Sequence, residues 1–330
     1  MSRRSLGLNM AGYVIRRLLQ VPVTVAIILV ITFFLIHAVP GDPAIVIAGA
    51  EAHPTEIEAV RQAYGLDQPL GVQFVTYATK ILRGDLGTSY TLGRPVARVI
   101  LDFARPTLLL TASALVVSLL GGILLGFAAA RRPASALDKG INGAALLAYS
   151  LPGFWVAQLF ILYLVLRLGL FPLLGYSEFG TGAPTGVGHL IDVAHHLVLP
   201  VTVLALTEVA ALTRVVRAGL LEELNQAYVN TARAKGVPPD RVISAHAFRN
   251  VLLPVTTLIG TRVGFLVSGA IVVESIFSWP GIGGLVRGAA RSNDLPLMLG
   301  VLLVISVAVT VTNVVTDLVY GWIDPRVRLG

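Results

Sequence analysis

Cysteine is absent from the 330 residues, which removes disulfides, zinc ribbons and thiol nucleophiles from consideration. Charge is scarce too: Asp, Glu, Lys and Arg make up 13% of the chain against 55% hydrophobic residues, and the mean hydropathy is +0.80. Soluble domains carry about twice that share of charge, so the composition points to an integral membrane chain. Lysine is the scarcest cation. Only Lys80, Lys139 and Lys235 occur, each after a residue other than glycine, whereas a phosphate-cradling loop ends in Gly-Lys-Ser/Thr. The chain therefore has no such nucleotide loop of its own. No serine stands in a G-x-S-x-G nucleophile elbow, and no carboxylate triad accompanies His189, His195 and His196. Adjacent His195 and His196 point to different sides of a helix, which argues against a metal site.

What is present is a series of long apolar runs. Crossing the hydrocarbon core takes about 20 mainly apolar residues as a helix, and residues 21–39, 107–130 and 141–166 meet that with no charge at all. Residues 193–213 contain Glu208, 251–273 contain Arg262, and 296–320 contain only Asp317. Six spans are expected in an all-α fold, the fourth having the weakest signal. The expected layout is a cytoplasmic N-terminus (1–20), a first span (21–39), an extracytoplasmic lobe (40–106), a five-helix bundle (107–320) including a polar loop at 222–250, and a cytoplasmic tail (321–330).

Basic residues give the orientation, because cytoplasmic loops are enriched in them. Arg3, Arg4, Arg16 and Arg17 precede the first span, Arg131, Arg132 and Lys139 follow the second, Arg214 to Arg249 follow the fourth, and Arg326 and Arg328 close the chain. Both termini are expected in the cytoplasm of a bacterial inner or plasma membrane. The net charge of +7 sits in short juxtamembrane loops, where it sets topology and meets anionic lipid rather than nucleic acid.

The outer segment shows signs of folding. Thr55 and Glu58 have capping-box spacing, Gly65 can end the helix, and Leu70, Phe74, Tyr77 and Ile81 repeat at helical intervals. PGDP (40–43) and GDLGTS (84–89) read as turns. This lobe either meets an external partner or caps the bundle.

The polar loop is the most informative stretch. Residues 222–235 lack Gly and Pro, place Arg233 and Lys235 in the last turn, and are followed by Gly236, Pro238 and Pro239, so the pattern predicts a short helix with a firm stop. Ala227, Thr231 and Ala234 fall on one face, which lets another backbone approach closely.

Here the chain resembles the ABC importer permeases, and within them the dipeptide/oligopeptide B-type branch. The resemblance is carried by PGDP, GLDQP (65–69), GDLGTS, TARAKG (231–236), HAFRNVLLP (246–254), ESIFSWPGIG (274–283) and YGWIDPR (320–326), which occur in that order along nearly the whole chain. Where the general permease pattern begins Glu-Ala-Ala, this chain has Asn230, Thr231 and Ala232, and Leu253-Pro254 lies farther beyond Gly236 than in that pattern. The resemblance implies a type I permease fold with a cytoplasmic coupling helix between the fourth and fifth helices, docked into a partner ATPase. Ala227, Tyr228, Thr231, Ala232, Arg233, Ala234, Lys235 and Gly236 would make that contact. It also implies a related second permease, two ATPase subunits that bind ATP and Mg, and an external substrate-binding protein. Asp42, Asp85, Trp279, Arg287 and Arg291 are the expected contacts with that external partner. Peptides are the expected substrate, with haem, nickel chelates and glutathione as alternatives. An ATP-independent channel or secondary transporter is the other class, although neither inverted repeats nor paired ion-site carboxylates are evident.

Two charges fall inside the membrane. Arg262 lies about 16 Å into the fifth span at 1.5 Å per residue, where a lone charge costs about 2.5–3.5 kcal/mol on insertion scales. Glu208 is the expected partner, either as a structural ion pair or as part of the translocation pathway. Pro152 reads as a kink, and Gly121 and Gly122 as close helix contacts.

Overall fold

The computed structural model describes residues 12, 14–38, 41–49, 52–177 and 185–323; Arg3, Arg4, Pro40, Arg326 and Arg328 lie outside them. The chain divides into two units: residues 1–106 with 280–315, and residues 107–279 with 316–330. The sequence reading had kept 280–315 with the 107–320 bundle.

The first unit is built around α1 (Gln20–Ala38). Leu29, Phe33 and Ile36 pack on Tyr77 of α4 (Leu70–Leu82). Polar groups in that contact are matched: the Tyr77 hydroxyl donates to Thr32 Oγ1 at 2.9 Å, and Thr32 donates to the Ile28 carbonyl at 2.8 Å. Leu70, at the first turn, is exposed, and Gln73 is buried instead. Between them lie α2 (Pro43–Ala48) and α3 (Pro54–Tyr64), with Gly65 closing α3 in the left-handed conformation at φ 62°. The box that starts α3 is two positions off the expected Thr55/Glu58 register: Glu56 accepts from the His53 N–H at 3.1 Å, because Pro54 fits the first helical position. Glu58 instead accepts from Gln62 at 3.1 Å.

GDLGTS is only partly a turn. Thr88–Ser89 (β1) pairs antiparallel with Arg94–Pro95 (β2), a minimal hairpin set among the described helices. It is fastened by Asp294, which is fully buried. The Asp294 carboxylate accepts from Ser89 Oγ at 2.5 Å, from Thr91 N–H at 3.2 Å and from Leu297 N–H at 3.2 Å. It thereby caps α12 (Leu295–Ile323) while holding the hairpin. Leu285 and Ala289 of α11 (Ile282–Arg291) complete a core with Val96, Val99, Ile100 and Val301. Asp294→Ala removes a cap and leaves the buried Ser89 hydroxyl unmatched, so a loss of about 2–4 kcal/mol is expected; an unchanged melting temperature in detergent would refute this account.

The second unit begins inside α5 (Val96–Arg131) and continues through α6 (Ala136–Ser150), α7 (Gly153–Phe160), a π-helical turn at Ile161–Arg167, and α8 (Val187–Leu224). The third apolar run does not cross straight: α6 and the helix after it are bent by 102°. Pro152 is the cause, since it forces Leu151 out of the helical region to φ −83°, ψ 132°. The fourth run is longer than expected, one helix of 38 residues through Pro200, Glu208, Arg214 and Arg217.

Helices α5 and α8 approach closely because Gly121, Gly122 and Gly126 face α8. A Cβ on Gly122 would stand 2.5 Å from Leu212 Cβ, and one on Gly126 would stand 2.8 Å from the Thr213 carbonyl. Small residues allow this contact between apolar helices. Four of the described helices are long and apolar enough to cross a membrane, and the bent pair makes a fifth candidate. Helix α10 (Phe248–Ile276), also in this unit, has 29 residues. The chain is a multi-pass membrane protein.

Candidate coupling site

The polar loop folds as a separate short helix, α9 (Ala227–Ala234). The pattern had predicted a single helix from residue 222. The structure breaks it at Asn225 and Gln226, where the Asn225 side chain donates to the Leu221 carbonyl at 2.9 Å. Asparagine competes in this way with continued helix, and Gln226 turns extended at φ −75°, ψ 151°.

The far end is stopped by a Schellman motif. Gly236, at φ 77°, donates to the Arg233 carbonyl at 2.9 Å, and Val237 donates to the Ala232 carbonyl at 3.2 Å. That geometry favours glycine at the left-handed position. Below it, Val229 and Ala232 are buried with Val242, and Val237 packs on them.

Ala227, Tyr228, Asn230, Thr231, Arg233, Ala234, Lys235 and Gly236 are exposed. Ala232 differs from the other expected contact residues: it faces inward, and its part is to seat the helix. The remaining face is small, polar and doubly basic.

Three polar links tie this region to its neighbours, and sequence reasoning picked out none of them. Tyr228 donates to the Glu223 carboxylate at the end of α8. Asn250, at the start of α10, donates to the same carboxylate at 2.8 Å and to the Tyr228 oxygen at 3.1 Å. Burial, followed by the Glu223 carboxylate, raises the Tyr228 hydroxyl above the ordinary phenol value, so it remains a donor. Arg131 at the end of α5 meets Asp240 at 2.6 Å. Finally, Arg217 of α8 grips Asp138 of α6 with two bonds of 2.5 and 2.8 Å. Asp138 is buried and also accepts from Ala134 N–H and Asn142 Nδ2.

In the apolar part of this unit, Arg262 Nη1 lies 3.6 Å from Glu208 Oε1. Leu115, Ser118, Leu119, Leu212 and Leu258 surround the two. The sequence reading had matched them by depth. The histidines are dispersed: His195 meets the Leu170 carbonyl at 3.0 Å, and His196 meets Asp192 at 3.1 Å.

The residues expected to meet an external partner fall into three groups. Arg287 and Arg291 of α11 and Asp85 are exposed. Asp42 caps α2 by accepting from Ala44 N–H at 2.9 Å and pairs with Arg61; the Ala44 bond, then Arg61, holds its carboxyl below the usual carboxylate range. Trp279 is 1% exposed, packed against Tyr176 with ring centroids 5.0 Å apart, so it is a core residue and offers no docking surface. Glu274, in the same motif, is fully buried and accepts from Thr107 Oγ1 at 2.6 Å.

The described residues thus combine several membrane-length helices with a short, exposed basic helix on a polar loop. Comparison with known families gives the class of protein. Residues 122–329 match the family described as binding-protein-dependent transport system inner membrane component, and residues 10–111 match that family's N-terminal domain. The chain belongs to this family of ABC importer permeases. It is 36% identical over 321 residues to the oligopeptide transport system permease protein AppB of Bacillus subtilis, covering 97% of this chain and all of AppB. It is also 36% identical over 319 residues to the glutathione transport system permease protein GsiC of Salmonella choleraesuis, covering 97% and 99% of the two chains. Among solved structures, an inward-facing MetNI methionine ABC transporter matches with a TM-score of 0.50 at 15% identity, covering 69% of this chain and 96% of that one.

Proposed function

We propose that this chain is one of two related permease subunits of an ATP-driven peptide importer, with α9 as the coupling helix. The observation that supports this best is α9 itself: short, stopped at both ends, seated by Val229 and Ala232, and exposed on a small basic face. In this reading six helices cross the membrane, both termini are cytoplasmic, and residues 40–106 form an outer lobe. Two ATPase subunits bind ATP and Mg, since the chain has no phosphate loop, and their closure pushes α9 and rocks the spans. An external binding protein delivers substrate to the outer face, where Asp85, Arg287 and Arg291 are exposed. Glu208 and Arg262 belong either to the pathway or to the scaffold beside it.

Peptides are the proposed cargo, in keeping with AppB, and GsiC makes glutathione the second reading. Identifying the ligand that copurifies with the external binding protein separates them. Thr231→Trp on the exposed face of α9 is expected to abolish copurification of the ATPase subunits while the permease still accumulates. Full copurification, or ATP-independent uptake by the purified permease, would overturn the proposal.

A further inference from the structure

Helix α9 has eight residues, about 12 Å at 1.5 Å per residue, too short to hold itself rigid in water. Its backbone is broken on both sides, by extended Gln226 and left-handed Gly236. A force applied to its outer face would pivot it about these two points unless side chains prevent the movement. Val229 and Ala232 oppose sinking, but an apolar seat resists rotation poorly because it has no directional bonds.

The directional bonds come from one cluster. We infer that Glu223, Tyr228 and Asn250 form a joint that makes α9 move as one body with the end of α8 and the start of α10, Glu223 and Asn250 being positioning residues for coupling. This rests on the reading of α9 as the ATPase contact. The donor arithmetic is closed: Tyr228 and Asn250 both donate to the Glu223 carboxylate, and Asn250 also donates to the Tyr228 oxygen. Three elements separated by breaks in the chain thus meet at one carboxylate, and bonds to an ionised acceptor are the stronger kind. The link joins α9 to α8 and α10 at once, so a push on α9 reaches both helices together.

The absence of cysteine makes the joint measurable. Asn230→Cys on α9 and Leu252→Cys on α10, both exposed positions, accept spin labels in the assembled complex once the partner subunits are made cysteine-free. A single narrow inter-label distance is expected, the same without nucleotide and after trapping with ATP and vanadate. Asn250→Asp sets two carboxylates against each other and is expected to abolish the single distance; adding Glu223→Gln returns one donor to the pair and restores it. Glu223→Ala, which deletes the shared acceptor without adding charge, is expected to broaden the distribution as well. A distance that shifts with nucleotide in the parent, an unchanged distance in Asn250→Asp or Glu223→Ala, or failure of Glu223→Gln to rescue would each overturn the joint. Failure of the underlying reading is seen separately: the label on Asn230 would then keep its mobility when ATPase subunits are added, even with the inter-label distance intact.

Discussion

Arg217→Met will destabilise the permease by roughly 3–5 kcal/mol, because it strands a carboxylate that the fold has removed from water. The Asp138 side chain is 3% exposed, while that of Arg217 is 27% exposed, so the loss falls on the acid and not on the base. The value belongs at the lower end of that range, since Ala134 N–H and Asn142 still donate to Asp138. Removing both charges tests the account. The double variant Asp138→Leu with Arg217→Met is expected to recover most of the loss, as apolar replacements of buried pairs commonly do. Melting temperatures of the purified complex in detergent give the comparison. Equal destabilisation in the single and double variants would show that packing around Arg217, and not the stranded charge, is responsible.

Gly126→Leu is expected to have an effect of similar size through a different cause. Even the first carbon of the new side chain would stand 2.7 Å from Val216 Cβ and 2.8 Å from the Thr213 carbonyl. A backbone oxygen cannot swing aside as a side chain can, so α5 and α8 must separate. Overpacking typically costs about 1–3 kcal/mol and occasionally more; the upper end is expected here, since a backbone oxygen is in the way and separation also opens the contact at Gly122. Loss of the chain from the membrane fraction is the expected outcome. Gly143→Ala is the control: nothing lies within 4 Å of its added carbon, and a helical Gly→Ala exchange is neutral to stabilising by up to about 1 kcal/mol. Normal accumulation of Gly126→Leu would mean that the two helices do not approach as closely as described.

Much of the fold was legible because hydropathy and turn chemistry act locally. The apolar runs, the kink at Pro152, the stop at Gly236 and the close contacts at Gly121 and Gly122 all follow from residue types and their immediate neighbours. The misreadings have physical causes as well. Helix α8 is the least apolar of the four membrane-length helices, as Glu208 led the sequence to suggest, but it runs on past residue 213 to Leu224, because hydropathy reports the solvent around a helix and not where the helix ends. The break at Asn225 depends on one side-chain bond to Leu221, which no periodicity reveals. The Ala232 side chain faces inward because Val242 returns to cover it, a tertiary fact. Trp279 sits in a motif beside an exposed helix, but Tyr176 lies against it from a distant part of the chain. The pairing of Asp138 with Arg217 spans 79 positions, and each residue taken alone is one more juxtamembrane charge.

The length of α8 bears on how far a small motion reaches. Thirty-eight residues make a rod of about 57 Å at 1.5 Å per residue, whereas the hydrocarbon core is about 30 Å thick. The rod therefore outreaches the bilayer, and its last turn holds Glu223. Tilting such an arm by about 5° displaces one end by about 5 Å relative to the other, nearly one full turn of helix. Under the proposed coupling role, a slight rocking of this 38-residue helix within the membrane would become a stroke at its tip of nearly the pitch of α9.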